Sequence, residues 1–148
     1  MDRKSFLKKC TLVCVGGGAM ATLLQSCGAS RTLGGTISGD DLVVNISDFE
    51  TKTGTETHYK KYILVNNDRL KFPICVYRFD AQTYSALWLS CTHQGAELQV
   101  FGDKLQCPAH SSEFSNKGEV SNGPASANLR SFPVNIVNNQ LKISLKAV

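Results

Sequence analysis

Apolar and polar residues alternate along several segments of the chain from residue 42 onward, which is the pattern of half-buried β-strands. Leu42, Val44 and Ile46 are separated by Val43, Asn45 and Ser47 in the first of these segments. Apolar runs at 62–65, 74–79 and 84–90 predict three further strands, and an alternating segment at 141–145 predicts the last one. We therefore expect a domain made of many short strands.

Turn signals separate these segments. Gly102-Asp103 predicts a hairpin turn between strands at 100–101 and 104–106. Beyond residue 40 no segment shows a helical period of apolar residues. The sequence therefore predicts an all-β sandwich or barrel. Trp88 is expected to lie in the core beneath the residues that follow the fourth strand, because a large aromatic residue in a strand usually packs inside.

The N-terminus has the features of a secretory signal peptide at residues 1–26. A basic segment at 2–9 precedes a short, glycine-containing apolar segment at 10–24, and small Ser26 comes directly before Cys27. Ser26-Cys27 resembles a bacterial lipobox, which implies cleavage before Cys27 and lipidation of its sulfur. An uncleaved membrane anchor is the alternative, and both interpretations place the domain outside the cytoplasm on the cell envelope, facing the periplasm or the exterior.

A segment with few apolar residues follows the lipobox. Residues 28–41 consist largely of Gly, Ser, Thr and Asp, a composition typical of a flexible linker. The predicted organisation is therefore a signal peptide at 1–26, a tether at 27–41 after the lipid-anchor residue Cys27, and one domain at 42–148.

Charge and cysteine content give no indication of a nucleic-acid-binding protein or of a disulfide-stabilised fold. The formal net charge is +4, but residues 1–26 contribute +3 of it. The rest of the chain carries +1 and has no basic run, so nothing in it indicates binding to nucleic acid. Of the six cysteines, Cys75 lies in an apolar strand and is predicted to be a core residue without a ligand role. The cysteines leave no even set for a disulfide framework.

The candidate chemistry lies in two short clusters of Cys and His. Cys91-Thr92-His93 is followed by thirteen residues and then by Cys107-Pro108-Ala109-His110. Thiolate and imidazole are metal ligands. The order Cys, His, Cys, His lets each loop give one sulfur and one nitrogen, which suits a two-iron cluster with two sulfurs on one iron and two nitrogens on the other. A structural zinc site is the alternative.

These two boxes resemble the cluster-binding boxes of Rieske [2Fe–2S] domains. The resemblance extends to Gly118 and to Gly123-Pro124-Ala125, which is similar to the proline-containing third loop of that family. It implies an all-β fold of small antiparallel sheets with two cluster-binding loops at one tip, and one [2Fe–2S] cluster per chain. Cys91 and Cys107 would bind the inner iron and His93 and His110 the outer one. The two histidines would contact protein partners that donate and accept electrons.

The chain departs from the quinol-oxidising Rieske proteins of cytochrome bc complexes. The two additional cysteines of those proteins, which form a disulfide, correspond to Ala96 and Ala109, and their tyrosine corresponds to Phe114. Their serine is retained as Ser112, whose hydroxyl is expected to bond a cluster sulfur; the alternative is a turn residue that bonds only backbone. The loops are more similar to those of Rieske-type ferredoxins.

The sequence thus favours an electron-transfer protein, either an envelope ferredoxin or the redox subunit of an oxidoreductase. No candidate catalytic base or nucleophile is recognisable, so the chain is not expected to be an enzyme on its own. Two alternatives remain: a divergent Rieske subunit of a quinol-oxidising cytochrome bc-type complex, and a zinc-stabilised binding module.

Overall fold

The structure, a computed structural model, describes residues 32–146. These residues form fifteen strands and one four-residue 3-10 helix, Ile46–Phe49, and they contain no α-helix. The predicted all-β fold of small, largely antiparallel sheets is therefore confirmed. Within the same residues no helix has the length and hydrophobicity needed to cross a membrane.

A five-stranded sheet forms the centre of the fold. Its strand order is β1-β6-β7-β8-β13, and only the β1–β6 pair is parallel. Strands β6, β7 and β8 correspond to the predicted strands at 62–65, 74–79 and 84–90, although β7 ends at Arg78 and β8 at Trp88. The strands are β1 (Thr32–Gly34), β6 (Tyr62–Asn66), β7 (Ile74–Arg78), β8 (Tyr84–Trp88) and β13 (Ser131–Phe132).

A second sheet packs on one face of the central sheet and includes the last predicted strand. Its order is β14-β15-β3-β2, and β15 pairs with β3 in a register that places Leu141 opposite Val44. The strands are β2 (Thr36–Ser38), β3 (Asp41–Asn45), β14 (Val134–Val137) and β15 (Gln140–Ser144).

A third sheet holds the region between and after the two Cys/His boxes. Its order is β12-β11-β10-β9, and the β9–β10 hairpin turns at Gly102-Asp103 as predicted, with Gly102 at a φ of 60°. Its strands are β9 (Gln99–Phe101), β10 (Lys104–Gln106), β11 (Glu113–Ser115) and β12 (Val120–Asn122). A separate exposed hairpin pairs β4 (Glu50–Thr53) with β5 (Glu56–Tyr59).

The central sheet divides the interior into two cores, because successive side chains of a strand point to opposite faces. On β7, Ile74 and Val76 point into a scaffold core, whereas Cys75 and Tyr77 point into a site core. The scaffold core contains Leu42, Val44, Phe49, Ile63, Val65, Ile74, Val76, Ala86, Phe132, Leu141 and Ile143. The site core contains Cys75, Tyr77, Leu87, Leu89, Cys91, Leu98, Leu105, Cys107, Phe114, Ala125 and Leu129.

Two expectations from the sequence need correction. Part of the predicted tether is built into the domain: β1 pairs with β6, and β2 pairs with β3, so residues 32–34 and 36–38 are strands rather than free linker. Trp88 packs against the scaffold core and not beneath the Cys/His boxes, where Leu87 and Leu89 lie instead. The predicted signal peptide, the lipidation site Cys27 and the start of the tether lie outside the described residues.

Candidate functional site

The first Cys/His box is a direct continuation of the central sheet. Strand β8 ends at Trp88, and the next residues lead into Cys91, which is 2% exposed. An isolated bridge between Ser90 and Glu97 closes the loop at its base. The position of the Cys91 sulfur is therefore set by the central sheet.

The second box belongs to the third sheet. Strand β10 ends at Gln106, and Cys107 follows immediately with 1% of its surface exposed. After the box, β11 begins at Glu113 and returns along β10. The two thiols thus come from two different sheets and meet in the site core.

The two boxes adopt the same backbone conformation although their histidines are spaced differently. The Cys91 N–H donates to the Ala96 carbonyl at 2.8 Å, and the Gly95 N–H donates to the Cys91 carbonyl at 2.7 Å. The corresponding bonds of the second box run from Cys107 to Ser112 at 2.8 Å and from Ser111 to Cys107 at 2.9 Å. Gly95 and Ser111 both have a positive φ, 71° and 62°. This repeat of one loop conformation was not visible in the sequence, where one His follows its Cys by two residues and the other by three.

The structure brings all four predicted ligands together in two pairs. The Cys91 thiol is a hydrogen-bond partner of the Cys107 sulfur, and both are buried. The rings of His93 and His110 are exposed and stand edge to face, with centroids 4.9 Å apart and an interplanar angle of 87°. The site therefore has a buried sulfur side and an exposed nitrogen side.

Backbone N–H groups surround the Cys107 sulfur. Burial raises the pKa of this thiol, but the N–H groups of His110 and Ala109 and the Cys91 thiol more than compensate, so its net pKa lies below the usual value. The Cys75 thiol in the same core behaves differently, because burial raises its pKa far above the usual value. The surroundings of Cys107 therefore favour the thiolate form, whereas those of Cys75 favour the protonated thiol.

The ligand pairs suit two irons better than a single metal ion. A structural zinc ion binds four ligands tetrahedrally, whereas a Rieske-type cluster takes two sulfurs on one iron and two nitrogens on the other. The pairing of two buried thiols and two exposed imidazoles fits the second arrangement.

A third loop, residues 123–128, is bound to both boxes. The Thr92 hydroxyl donates to the Ala127 carbonyl at 2.6 Å, and the Ala125 N–H donates to the Ser112 hydroxyl at 3.0 Å. The Asn122 side-chain amide also donates to the Ser111 carbonyl at 3.3 Å. Sequence reasoning identified this loop and Ser112 but missed Thr92 and Asn122. The available signal was their position, since Thr92 lies inside the first box and Asn122 directly precedes the third loop.

Comparisons with known proteins agree with this geometry. A family model described as the Rieske [2Fe-2S] domain matches residues 41–133. The plasma-membrane Rieske protein of the cyanobacterium Synechocystis PCC 6803 is 26% identical, with a TM-score of 0.50 over 57% of this chain and 86% of that one. No curated protein sequence matches the chain.

Two ferredoxin structures are also similar. The ferredoxin of Sphingomonas yanoikuyae B1 is 23% identical, with a TM-score of 0.45 over 57% of this chain and 84% of that one. The ferredoxin in a complex of reduced oxygenase and oxidised ferredoxin of carbazole 1,9a-dioxygenase is 24% identical, with a TM-score of 0.46 over 58% and 82%. The chain belongs to the Rieske [2Fe-2S] domain family, whose members bind a [2Fe-2S] cluster and take part in electron transfer.

Proposed function

We propose that this protein is a one-electron carrier whose [2Fe–2S] cluster is held by Cys91, His93, Cys107 and His110. Cys91 and Cys107 would bind the inner iron, and His93 and His110 the outer one. The observation that supports this best is the repeated loop conformation, which places two buried thiols side by side and two exposed imidazoles side by side. A cluster with two neutral imidazole ligands supplies reversible one-electron chemistry at roughly −150 to +300 mV.

The chain's own groups would hold and tune this site in distinct ways. The N–H groups of Ala109 and His110 stabilise the Cys107 thiolate without adding a charged side chain. The site core excludes water from the sulfur side, since Leu89, Leu98 and Leu105 are all nearly or fully buried. The hydroxyl hydrogen of Ser112 is free to donate, because its oxygen is the acceptor for Ala125.

The exposed imidazoles would be the contact for electron donors and acceptors. The loops around them, residues 92–96, 108–112 and 123–128, contain no Asp, Glu, Lys or Arg. Charged surfaces steer and accelerate association. Because these loops are uncharged, they would recognise their partners by shape, apolar contacts and neutral hydrogen bonds. The rate of electron transfer to such a partner should depend only weakly on ionic strength.

The same site favours a ferredoxin or an oxidoreductase subunit over a quinol-oxidising subunit. Ala96 and Ala109 cannot form the disulfide that joins the loops of the quinol-oxidising proteins. Phe114 is fully buried in the site core and has no hydroxyl to donate to a sulfur ligand. Both differences should leave the potential in the middle or lower part of the family range.

We further propose that the protein is exported and held on the cell-envelope membrane through lipid on Cys27. The support is the sequence of residues 1–27, with a basic segment, a short apolar segment and Ser26-Cys27. The similarity to a plasma-membrane Rieske protein agrees with this placement. Residue 32 already lies in strand β1, so only a few residues would separate the lipid from the domain.

The test of the electron-transfer function is the metal content and redox behaviour of the full-length protein. After expression in an iron-replete host, we expect two irons and two acid-labile sulfides per chain, a coloured oxidised form, and reversible one-electron reduction. Stoichiometric zinc in a colourless protein would instead establish the zinc-stabilised module.

A further inference from the structure

The two ligand boxes are joined by the β9–β10 hairpin, and this hairpin is attached to the central sheet at both ends. At its base the Leu98 N–H donates to the Leu89 carbonyl at 3.1 Å. At its tip the Tyr77 hydroxyl donates to the Gly102 carbonyl at 3.0 Å, and the Lys61 ammonium contacts the Asp103 carboxylate at 3.0 Å. The hairpin thus bridges the sheet that carries Cys91 and the sheet that carries Cys107.

The two attachments at the tip differ in strength. Lys61 and Asp103 are 70% and 56% exposed, and exposed ion pairs contribute little to stability. Tyr77 is 1% exposed, and a buried hydroxyl is costly to leave without a partner. Burial, with smaller contributions from nearby Cys75, Tyr62 and Asp103, also raises the pKa of Tyr77 far above its usual value, so its hydroxyl remains a donor. Tyr77 is therefore the attachment that fixes the tip.

We propose that Tyr77 is a positioning residue for the cluster: its hydrogen bond to Gly102 holds the β9–β10 hairpin so that Cys107 stays aligned with Cys91. The inference rests on the proposed function, since it assumes that the two thiols share one cluster. Cys91 is fixed by β8, which pairs with β7, the strand of Tyr77. Cys107 follows β10 and has no strand pairing to the central sheet. Without the Tyr77 bond the hairpin would pivot about its base at Leu98 and move the Cys107 loop.

Tyr77→Phe in the full-length holoprotein tests this proposal, because phenylalanine keeps the ring and its packing against Tyr62, whose centroid lies 5.5 Å away. Tyr62→Phe is the matched control, as it removes a tyrosine hydroxyl from the neighbouring strand. Cluster loss to an iron chelator, followed by visible absorbance, should be about fivefold faster in Tyr77→Phe and unchanged in Tyr62→Phe; a fivefold change corresponds to ~1 kcal/mol, the size of one hydrogen bond.

Hydrogen exchange measured by mass spectrometry separates positioning from general stability. We expect faster exchange in Tyr77→Phe at residues 91–107 and unchanged exchange in β3 and β15. Equal acceleration in both regions, or chelator kinetics like those of the wild type, would overturn the positioning role. A wild-type protein that holds no cluster would instead refute the proposed function. Failure of the positioning role and failure of the proposed function are therefore distinguishable. Asp103→Asn should change the chelator rate by less than about twofold, since the exposed ion pair contributes little.

Discussion

The hydroxyl oxygen of Ser112 accepts a hydrogen bond of 3.0 Å from the backbone N–H of Ala125. The Ser112 side chain is fully buried. The bond joins the second ligand box to the third loop and leaves the hydroxyl hydrogen to be donated elsewhere. Ser112 therefore serves the structure of the loops. A bond from its hydroxyl to a sulfur of the cluster stays a prediction.

Ser112→Ala should reduce both the stability and the midpoint potential. Removal of the hydroxyl leaves the Ala125 N–H buried without a partner, which costs about 1–3 kcal/mol. Loss of a donor to a cluster sulfur disfavours the reduced state, which carries one more electron, so the potential should fall by tens of millivolts. Chemical denaturation and protein-film voltammetry measure the two effects. Ser126→Ala is the control, because Ser126 lies exposed in the third loop. A loss of stability with an unchanged potential would restrict Ser112 to its structural role.

Phe114→Tyr should raise the midpoint potential. Phe114 shares the site core with Cys91 and Cys107 and is fully buried, so an added hydroxyl would lie on the sulfur side of the site. If its bond favours the reduced state by about 1 kcal/mol, the potential rises by roughly 40 mV. Voltammetry of the variant gives this shift directly. A destabilised protein with the potential of the wild type would mean that the new hydroxyl is buried without a partner.

Cys107→Ser should abolish the cluster, and Cys75→Ala should retain it. Both thiols are buried in the same core, but only Cys107 has its pKa lowered by surrounding N–H groups, whereas burial raises the pKa of Cys75. Because metal ligands organise the loops that hold them, Cys107→Ser should also lose structure in the two Cys/His boxes. Iron analysis and the visible spectrum compare the two variants. A cluster with the wild-type spectrum in Cys107→Ser would remove this residue from the ligand set.

Cys27→Ser should prevent lipidation and release the protein from membranes. Several acyl chains are needed for stable attachment, since one chain binds only marginally. Metabolic labelling with a radioactive fatty acid, followed by membrane fractionation, is the measurement, and Cys14→Ser is the matched control within the apolar segment. Equal labelling of Cys27→Ser and the wild type would favour the uncleaved anchor.

The sequence allowed the strands that lead to the site to be predicted, because they carry strong local signals. Strand β8 is an apolar run that continues into Cys91, and Gly102-Asp103 marks the hairpin before Cys107. The four metal-binding candidates were also recognisable, since Cys and His residues at short spacing are typical metal ligands.

Other features depend on contacts between distant residues and were missed. Strands β1 and β2 have a linker-like composition and become strands only by pairing with β6 and β3. The β4–β5 hairpin is exposed on both faces and therefore lacks an apolar alternation. The side of Trp88 was predictable in principle, because it is an odd number of residues from Cys91 and so faces away from the site.

The scaffold core and the site core are separate, so loss of the cluster should affect the folding of each core differently. Strands β3 and β15 and their partners bury Leu42, Leu141 and Ile143 without any contribution from the four predicted metal ligands. Loss of iron should therefore cause subglobal unfolding, in which the two boxes open while the scaffold core remains native. Because the scaffold core of this apo form would already be folded, a lost cluster could be replaced without complete refolding of the chain.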